Sequence, residues 1–160
     1  MDINKLAKEL KKIKPFPNMP PEIFFALTKL LPLLAIELFA VNKKGEFVLV
    51  QKNGQENGWA LPGGFLGLNE DFEVACQRIA KKYLGVKVSR TTFLGICNLP
   101  EKIYGKGKGQ AVVLIFKYEL PESAKNITYF KKIPKEILSH HKFILNYIFG
   151  QVRANKRLGL

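Results

Sequence analysis

The sequence predicts an α/β (α+β) sandwich, mostly antiparallel strands around a central helix with a second helix at the end. Three observations predict it. The apolar runs Leu33 to Val41 and Gln110 to Leu120 read as strands of a buried sheet. Between them, Phe72, Cys76, Ile79, Ala80 and Tyr83 recur at helical spacing. A second helical stripe, Ile144, Leu145, Ile148 and Val152, follows near the C-terminus.

A chain of 160 residues fits one domain with a core of its own. With 47% hydrophobic and 11% aromatic residues, the composition excludes a disordered chain. The formal charge of +13 creates a field that attracts anions. The lysines are scattered, however, so most read as solvated surface. Cys76 and Cys97 form no spaced cluster, so reduced thiols and a cytoplasmic setting are expected. The N-terminal segment is Lys-rich and amphipathic and lacks the apolar core of a secretory signal. The most apolar run, Ile23 to Val41, is interrupted by Lys29, Pro32 and Glu37, which argues against a membrane span.

In chain order, Ile3, Leu6, Ala7, Leu10 and Ile13 place a helix within Asp2 to Lys14, with lysines on its other face. Pro15, Pro17, Pro20 and Pro21 form an extended joint. Pro21 and Glu22 suit a helix start, and a short helix from Ile23 to Leu31 ends at Pro32. These pieces make residues 1–32 an N-terminal helical extension. The main domain is then 33–155, followed by a basic tail at 156–160.

Leu33 to Val41 and Glu46 to Gln51 are strands joined by the turn Asn42-Lys43-Lys44-Gly45. After the central stretch, Lys87 to Cys97 reads as a strand and Asn98 to Gly109 as a loop. Gln110 to Leu120 is the strongest strand. Thr128 to Phe130 is a short one, Pro134 to Leu138 starts a turn or short helix, and His141 to Asn155 is a helix. No internal repeat occurs. Trp59 is expected to pack in the sheet.

The stretch from Trp59 to Val86 is the most specific. It runs Trp59-Ala60-Leu61-Pro62-Gly63-Gly64, a loop to Glu70, a helix carrying Arg78, and a stop at Gly85. Gly64, five residues, Glu70, seven residues, Arg78, then Gly85-Val86 resembles the frame of the Nudix box. The resemblance covers roughly residues 33 to 150 and implies the Nudix-type α/β/α sandwich, with the box helix and the C-terminal helix on a mixed sheet.

Some box residues build the loop and helix. Gly64 lets the backbone turn and approach a ligand. The resemblance pairs Glu70 with Arg78 in a bracing ion pair, and Gly85 ends the helix. The others carry the chemistry. Family members place glutamates after the arginine and one turn later, where they hold magnesium. The metal neutralises a diphosphate and positions the attacking water. In this sequence those positions are Ile79, Lys82 and Tyr83. None is a carboxylate, so weak or absent magnesium-dependent hydrolysis is expected. Lys82 can hold phosphate as a point charge, although a solvated helix residue is its plainer role. Core packing is the plainer role of Ile79 and Tyr83.

The GDP-mannose mannosyl hydrolases, Nudix relatives with a degenerate box, are similar from Phe24 to Lys52. That similarity implies substrate-binding roles for Glu37, Lys52 and Arg78, and a histidine base from a late loop. His140 and His141 are the only histidines. At a helix start, a neutral imidazole can act as a base, but such a pair more often makes a polar helix entrance. Glu101, a lone loop carboxylate, is the other candidate base. The loop Tyr104 to Gly109 is glycine-rich and basic; its amides and Lys106 can meet phosphate, although it lacks P-loop spacing and a flexible hairpin loop is its plainer reading. Gly63 and Gly64 complete the substrate-binding set. Magnesium is the cofactor the resemblance implies, and no residues of the box supply its ligands.

The expected function is a Nudix hydrolase-like protein that acts on or binds a nucleoside diphosphate linked to another moiety, a nucleotide sugar or ADP-ribose type. The alternative is a non-catalytic nucleotide-binding or regulatory module. RNA binding through the basic surface ranks last, since the usual stacked aromatic motifs are absent. Family members often dimerise, so a homodimer is expected, with no membrane partner.

Overall fold

The computed structural model describes residues 2–16, 18–52, 57–88, 90–105, 109–121, 124 and 127–158, the side chains of 152–158 excepted. The helices are α1 (Ile3–Leu10), α2 (Pro21–Thr28), α3 (Phe72–Leu84), α4 (Glu101–Tyr104) and α5 (Ser139–Leu158). The strands are β1 (Leu33–Val41), β2 (Phe47–Val48), β3 (Val50–Lys52), β4 (Gly58–Ala60), β5 (Gly63–Phe65), β6 (Thr92–Leu99), β7 (Ala111–Glu119) and β8 (Tyr129–Phe130).

The main sheet runs β6-β7-β1-β2-β8, and β5 also pairs with β1. β1 and β7 are parallel from Leu33 opposite Ala111 to Val41 opposite Glu119; the other pairs are antiparallel. β3 and β4 form a separate two-stranded sheet. The mixed sheet with helices is therefore the predicted α/β/α sandwich.

β1 reads as an unbroken apolar run because both of its faces are covered. Its side chains alternate between two cores. Ile36, Leu38 and Ala40 point to α3 and pack with Ala75, Cys76, Ile79, Ala80 and Leu84. Ala35, Phe39 and Val41 point to α5 and pack with Ile144, Leu145 and Ile148. Each fully buried Leu or Ile here contributes about 1.5–3 kcal/mol. Glu37 belongs to the second row and is the one acidic residue in it.

α3 follows the N-cap residue Asp71 and ends where Gly85 adopts a left-handed φ of 65°. Its N–H closes the helix on the Lys81 carbonyl at 3.2 Å. Glycine takes that conformation without the Cβ penalty. α5 carries its apolar stripe from His141 through Ile144, Leu145 and Ile148, one face at helical spacing.

Several expectations differ from the structure. The strand expected over Glu46 to Gln51 divides: β2 joins β1 and β8, whereas β3 joins β4. The strand expected from Lys87 starts at Thr92, because Val86 and Val88 pack into the α3 core instead of pairing. The loop expected from Asn98 contains α4, seated after Pro100 against α5. α5 includes His140 and His141 and continues to Leu158, into the expected tail. Phe72 is not core; its ring is half exposed beside Phe116. α2 rests against β5: the Phe24 and Phe65 rings meet at a tilt with centroids 5.2 Å apart, and Thr28 is buried. No helix among the described residues is long and apolar enough to cross a membrane. Cys76 and Cys97 are free, buried thiols, and burial raises the pKa of both.

Candidate functional site

A cavity of about 370 Å³ opens between α2, the start of β1, β5, β7 and the start of α5. Phe24 and Phe25 wall one side; Ala35, Val113 and Ile144 form the apolar floor. Its polar members are Glu37, Lys52, Tyr104, His140, His141 and Thr28, with the backbone of Gly63 and Gly64. That mixture of apolar walls and a few convergent polar groups is the usual make-up of a small-molecule site.

Glu37 enters the cavity because β1 alternation points it toward α5. Gly63 lies directly opposite it on β5. A Cβ on Gly63 would fall onto the Glu37 carboxyl group, so only glycine fits beside this side chain. Burial pushes the Glu37 carboxyl up to about 8, despite the opposing field of Lys52. Its Oε2 is buried without a hydrogen-bond partner.

α5 brings His141 to the same place. Its ring is 5% exposed, and its Nδ1 accepts the Leu61 N–H at 3.3 Å. That bond assigns the single N–H proton of the neutral ring to Nε2. Burial first, then the charges of His140 and Lys52, hold its pKa well below the imidazole range. This tautomer offers a donor to a ligand, since its acceptor nitrogen already holds the Leu61 amide. Two backbone bonds set the start of α5: Trp59 N–H to Glu136 O and Leu138 N–H to Trp59 O, each 3.0 Å. Trp59 packs its ring on Phe130 at 4.8 Å, outside the cavity.

Lys52 closes the remaining side. Its Nζ donates to the Tyr83 hydroxyl at 2.7 Å and lies 4.2 Å from the centre of that ring. Burial would raise the Tyr83 pKa; the Lys52 hydrogen bond and the charges of Lys52 and Lys82 outweigh it, and the net shift is downward.

The box brace stands beside this cavity. Glu70 Oε1 and Oε2 accept from Arg78 Nε at 2.6 Å and Nη2 at 2.7 Å. Glu70 Oε2 also accepts the Gly67 N–H at 2.8 Å, and Arg78 Nη2 donates to the Phe65 carbonyl at 3.0 Å. The Arg78 hydrogen bond is the main reason the Glu70 pKa is lowered. Arg78 thus ties the loop and β5 to α3, and it does not line the cavity. Gly64 lies in β5 opposite Ile36 without positive φ. A Cβ there would meet Arg78 Nη1 at an ordinary 3.7 Å, so Gly63 is the sterically demanding glycine.

The structure gathers Glu37, Lys52, Gly63, Gly64, His140 and His141 around one cavity. It leaves out Lys82, which is exposed on α3 with its Nζ 5.0 Å from the Tyr83 ring. Glu101 sits at the exposed start of α4, outside the cavity lining. Lys106 lies outside the described residues. His141 is no polar helix entrance but a buried wall residue. The signal was available: His141 is in phase with Ile144, Leu145 and Ile148. Nothing local in the sequence marks Tyr104, Phe24 and Phe25, distant aromatics, as neighbours in one cavity.

The box positions do not fit magnesium. Ile79 is 1% exposed in the α3 core, Lys82 is a cation in solvent, and Tyr83 is bonded to Lys52. Hard cations take oxygen ligands, carboxylates above all. No group of three His, Cys, Asp or Glu among the described residues is placed to hold a metal.

Residues 31–140 match the model of the NUDIX domain family. No curated protein matches the chain. Among solved structures, it is similar to a NUDIX hydrolase from Nitrosomonas europaea, with a TM-score of 0.61 and 15% identity over 79% of this chain and 91% of that one. The MutT protein of Methanosarcina mazei gives a TM-score of 0.58 at 17% identity, over 78% and 96% of the two chains. The NUDIX domain of Shewanella oneidensis NrtR, complexed with ADP ribose, gives 0.57 at 17% identity over 99% of both. At such identities the likeness concerns the fold.

Proposed function

The chain belongs to the Nudix family, and on that premise we propose that its cavity binds a nucleoside diphosphate linked to another moiety, of the ADP-ribose or nucleotide-sugar type, with little or no magnesium-dependent hydrolysis. The observation that carries this reading is the contrast between the two halves of the box. The brace is complete, with Glu70 and Arg78 bonded through both carboxylate oxygens. The catalytic face instead presents a buried isoleucine, an exposed lysine and a tyrosine engaged by Lys52. A scaffold kept without its metal ligands favours binding over turnover.

The ligand class is supported by the NrtR domain, a neighbour complexed with ADP ribose, and by the cavity itself. Phe24 and Phe25 offer apolar surface to a base or sugar, and Lys52 offers charge to a phosphate. His141 and the protonated Glu37 present donors to neutral acceptor atoms.

The test is a panel of ADP-ribose, nucleoside diphosphate sugars and dinucleotides, scored for thermal stabilisation and for product, with and without magnesium. A ligand that binds only the folded state stabilises it by about 2.7 kcal/mol at a hundredfold excess over Kd. The expected result is a raised Tm without product. Magnesium-stimulated turnover at ordinary enzyme rates restores the hydrolase reading; a panel without any Tm shift removes the nucleotide ligand.

A further inference from the structure

We propose that Lys52, held in place by Tyr83, is the resident cation of this cavity and supplies to a bound diphosphate the charge that a divalent metal supplies elsewhere in the family. The inference rests on the nucleotide-binding reading above and adds that binding is metal-independent.

Lys52 is positioned from three sides. β3 fixes its backbone opposite Gly58 of β4, so no cross-strand side chain competes with it. The Tyr83 hydroxyl takes one of its N–H donors at 2.7 Å, and the ring lies 4.2 Å from Nζ. An ammonium has three donors, and a cation over an aromatic face is attracted by the ring quadrupole. Tyr83 stands at one of the box positions where the family carries a metal-binding glutamate. The hydroxyl there orients a built-in cation in place of a carboxylate that would collect a free one.

The rest of the cavity suits this arrangement. Among the described residues lining it, Lys52 is the only lysine or arginine, and Glu37 the only carboxyl. Burial keeps Glu37 protonated near neutral pH, so it neither cancels the Lys52 charge nor repels a phosphate. The Lys52 charge opposes the burial-driven rise of the Glu37 pKa and adds, after burial and His140, to the lowering of His141, so its field reaches both groups. With apolar walls around it, a single positive charge acts more strongly on an anion than it would in water.

The experiment is isothermal titration of inorganic pyrophosphate and of ADP-ribose into the full chain, in EDTA and in excess magnesium. The variants are Lys52→Met, Tyr83→Phe and, as the outside control, Lys82→Met. Circular dichroism and Tm confirm that each variant folds. The expected result is binding in EDTA that magnesium changes by less than about threefold. Lys52→Met then weakens binding by at least about tenfold, Tyr83→Phe by a smaller factor, and Lys82→Met leaves it within about twofold. Binding that requires magnesium, or that is unchanged in folded Lys52→Met, overturns the inference and leaves the nucleotide reading standing. Pyrophosphate binding through Lys52 in EDTA without any nucleotide binding upholds the inference and removes the nucleoside. No binding of either probe overturns both.

Discussion

Glu37 Oε2 stands 3.8 Å from Nδ1 of His141, and the two form no ion pair. Burial raises the carboxyl to about 8 and depresses the imidazole, so both are neutral near pH 7. The pair therefore acts through stability rather than charge. The folded chain keeps the Glu37 proton up to about pH 8, whereas the unfolded chain releases it above about 4.5. The Glu37 contribution thus falls as pH rises between those values. His141 works oppositely: the unfolded chain takes a proton below about 6.5 and the folded one does not, so its contribution rises up to that pH. Above 6.5 only the Glu37 trend persists. The other titratable groups lining the same cavity are Lys52 from β3, Tyr104 from α4 and His140 from α5, and Lys52 is the one whose charge acts on Glu37.

The expected outcome is a loss of about 1–2 kcal/mol of stability between pH 6.5 and 8, from the roughly 1.4 kcal/mol that each pH unit carries per proton. Urea unfolding at both pH values measures it. Glu37→Gln keeps the shape and removes the proton, so its difference from the parent chain carries the slope. Parallel pH profiles for the two chains would show that Glu37 ionises normally.

Gly63 and Glu37 are the second testable couple. Gly63→Ala would set a methyl on the carboxyl, and overpacking of that kind costs about 1–3 kcal/mol. Glu37→Ala empties the space. The double variant Glu37→Ala, Gly63→Ala is expected to recover most of the Gly63→Ala loss, with a coupling of about 1–2 kcal/mol in a double-mutant cycle. Additive effects would place the strain elsewhere, along the β1–β5 ladder.

How much of this was legible in the sequence depends on how far its signals reach. The Glu70–Arg78 brace and the Gly85 stop lie within one loop and one helix, a stretch short enough for the box resemblance to reach them. β1 was readable end to end because an unbroken apolar run marks a strand covered on both faces. The cavity was only half readable. Glu37 and Lys52 emerged through a family resemblance, whereas the meeting of Glu37 with His141 depends on β1 and α5 sharing one core, which no local pattern records. The choice between Lys52 and Lys82 was equally hidden. Both flank Tyr83, and only the β3–β4 pairing turns one of them into the cavity.

The brace makes a third prediction. Glu70→Ala leaves Arg78 without its bidentate partner and frees the Gly67 amide. Hydrogen bonds to charged groups contribute about 1.5–3 kcal/mol, which in a chain of this size lowers Tm by roughly 4–10 °C. Because Arg78 does not line the cavity, Glu70→Gln, which keeps the shape and part of the bonding, is expected to lose less stability. Its ligand Kd is expected to stay within about threefold of the parent chain. A selective loss of affinity in folded Glu70→Gln would instead place Arg78 against the ligand.

The last prediction concerns the box position after Arg78. A glutamate there would look like a step toward restoring a metal site. Ile79, however, is 1% exposed and packs with Ile36, Leu38 and Leu114 between α3 and the sheet. Ile79→Glu therefore loses a buried apolar side chain and places a carboxyl in an apolar core. The expected cost is at least about 3 kcal/mol. The carboxyl would be held protonated by the same desolvation that raises Glu37. Unfolding midpoints measured with and without magnesium decide the matter. A destabilised chain that magnesium does not rescue is expected, because the core has closed over this position. Recovery of stability on adding magnesium would show that the helix can still turn this side chain outward and hold the ion.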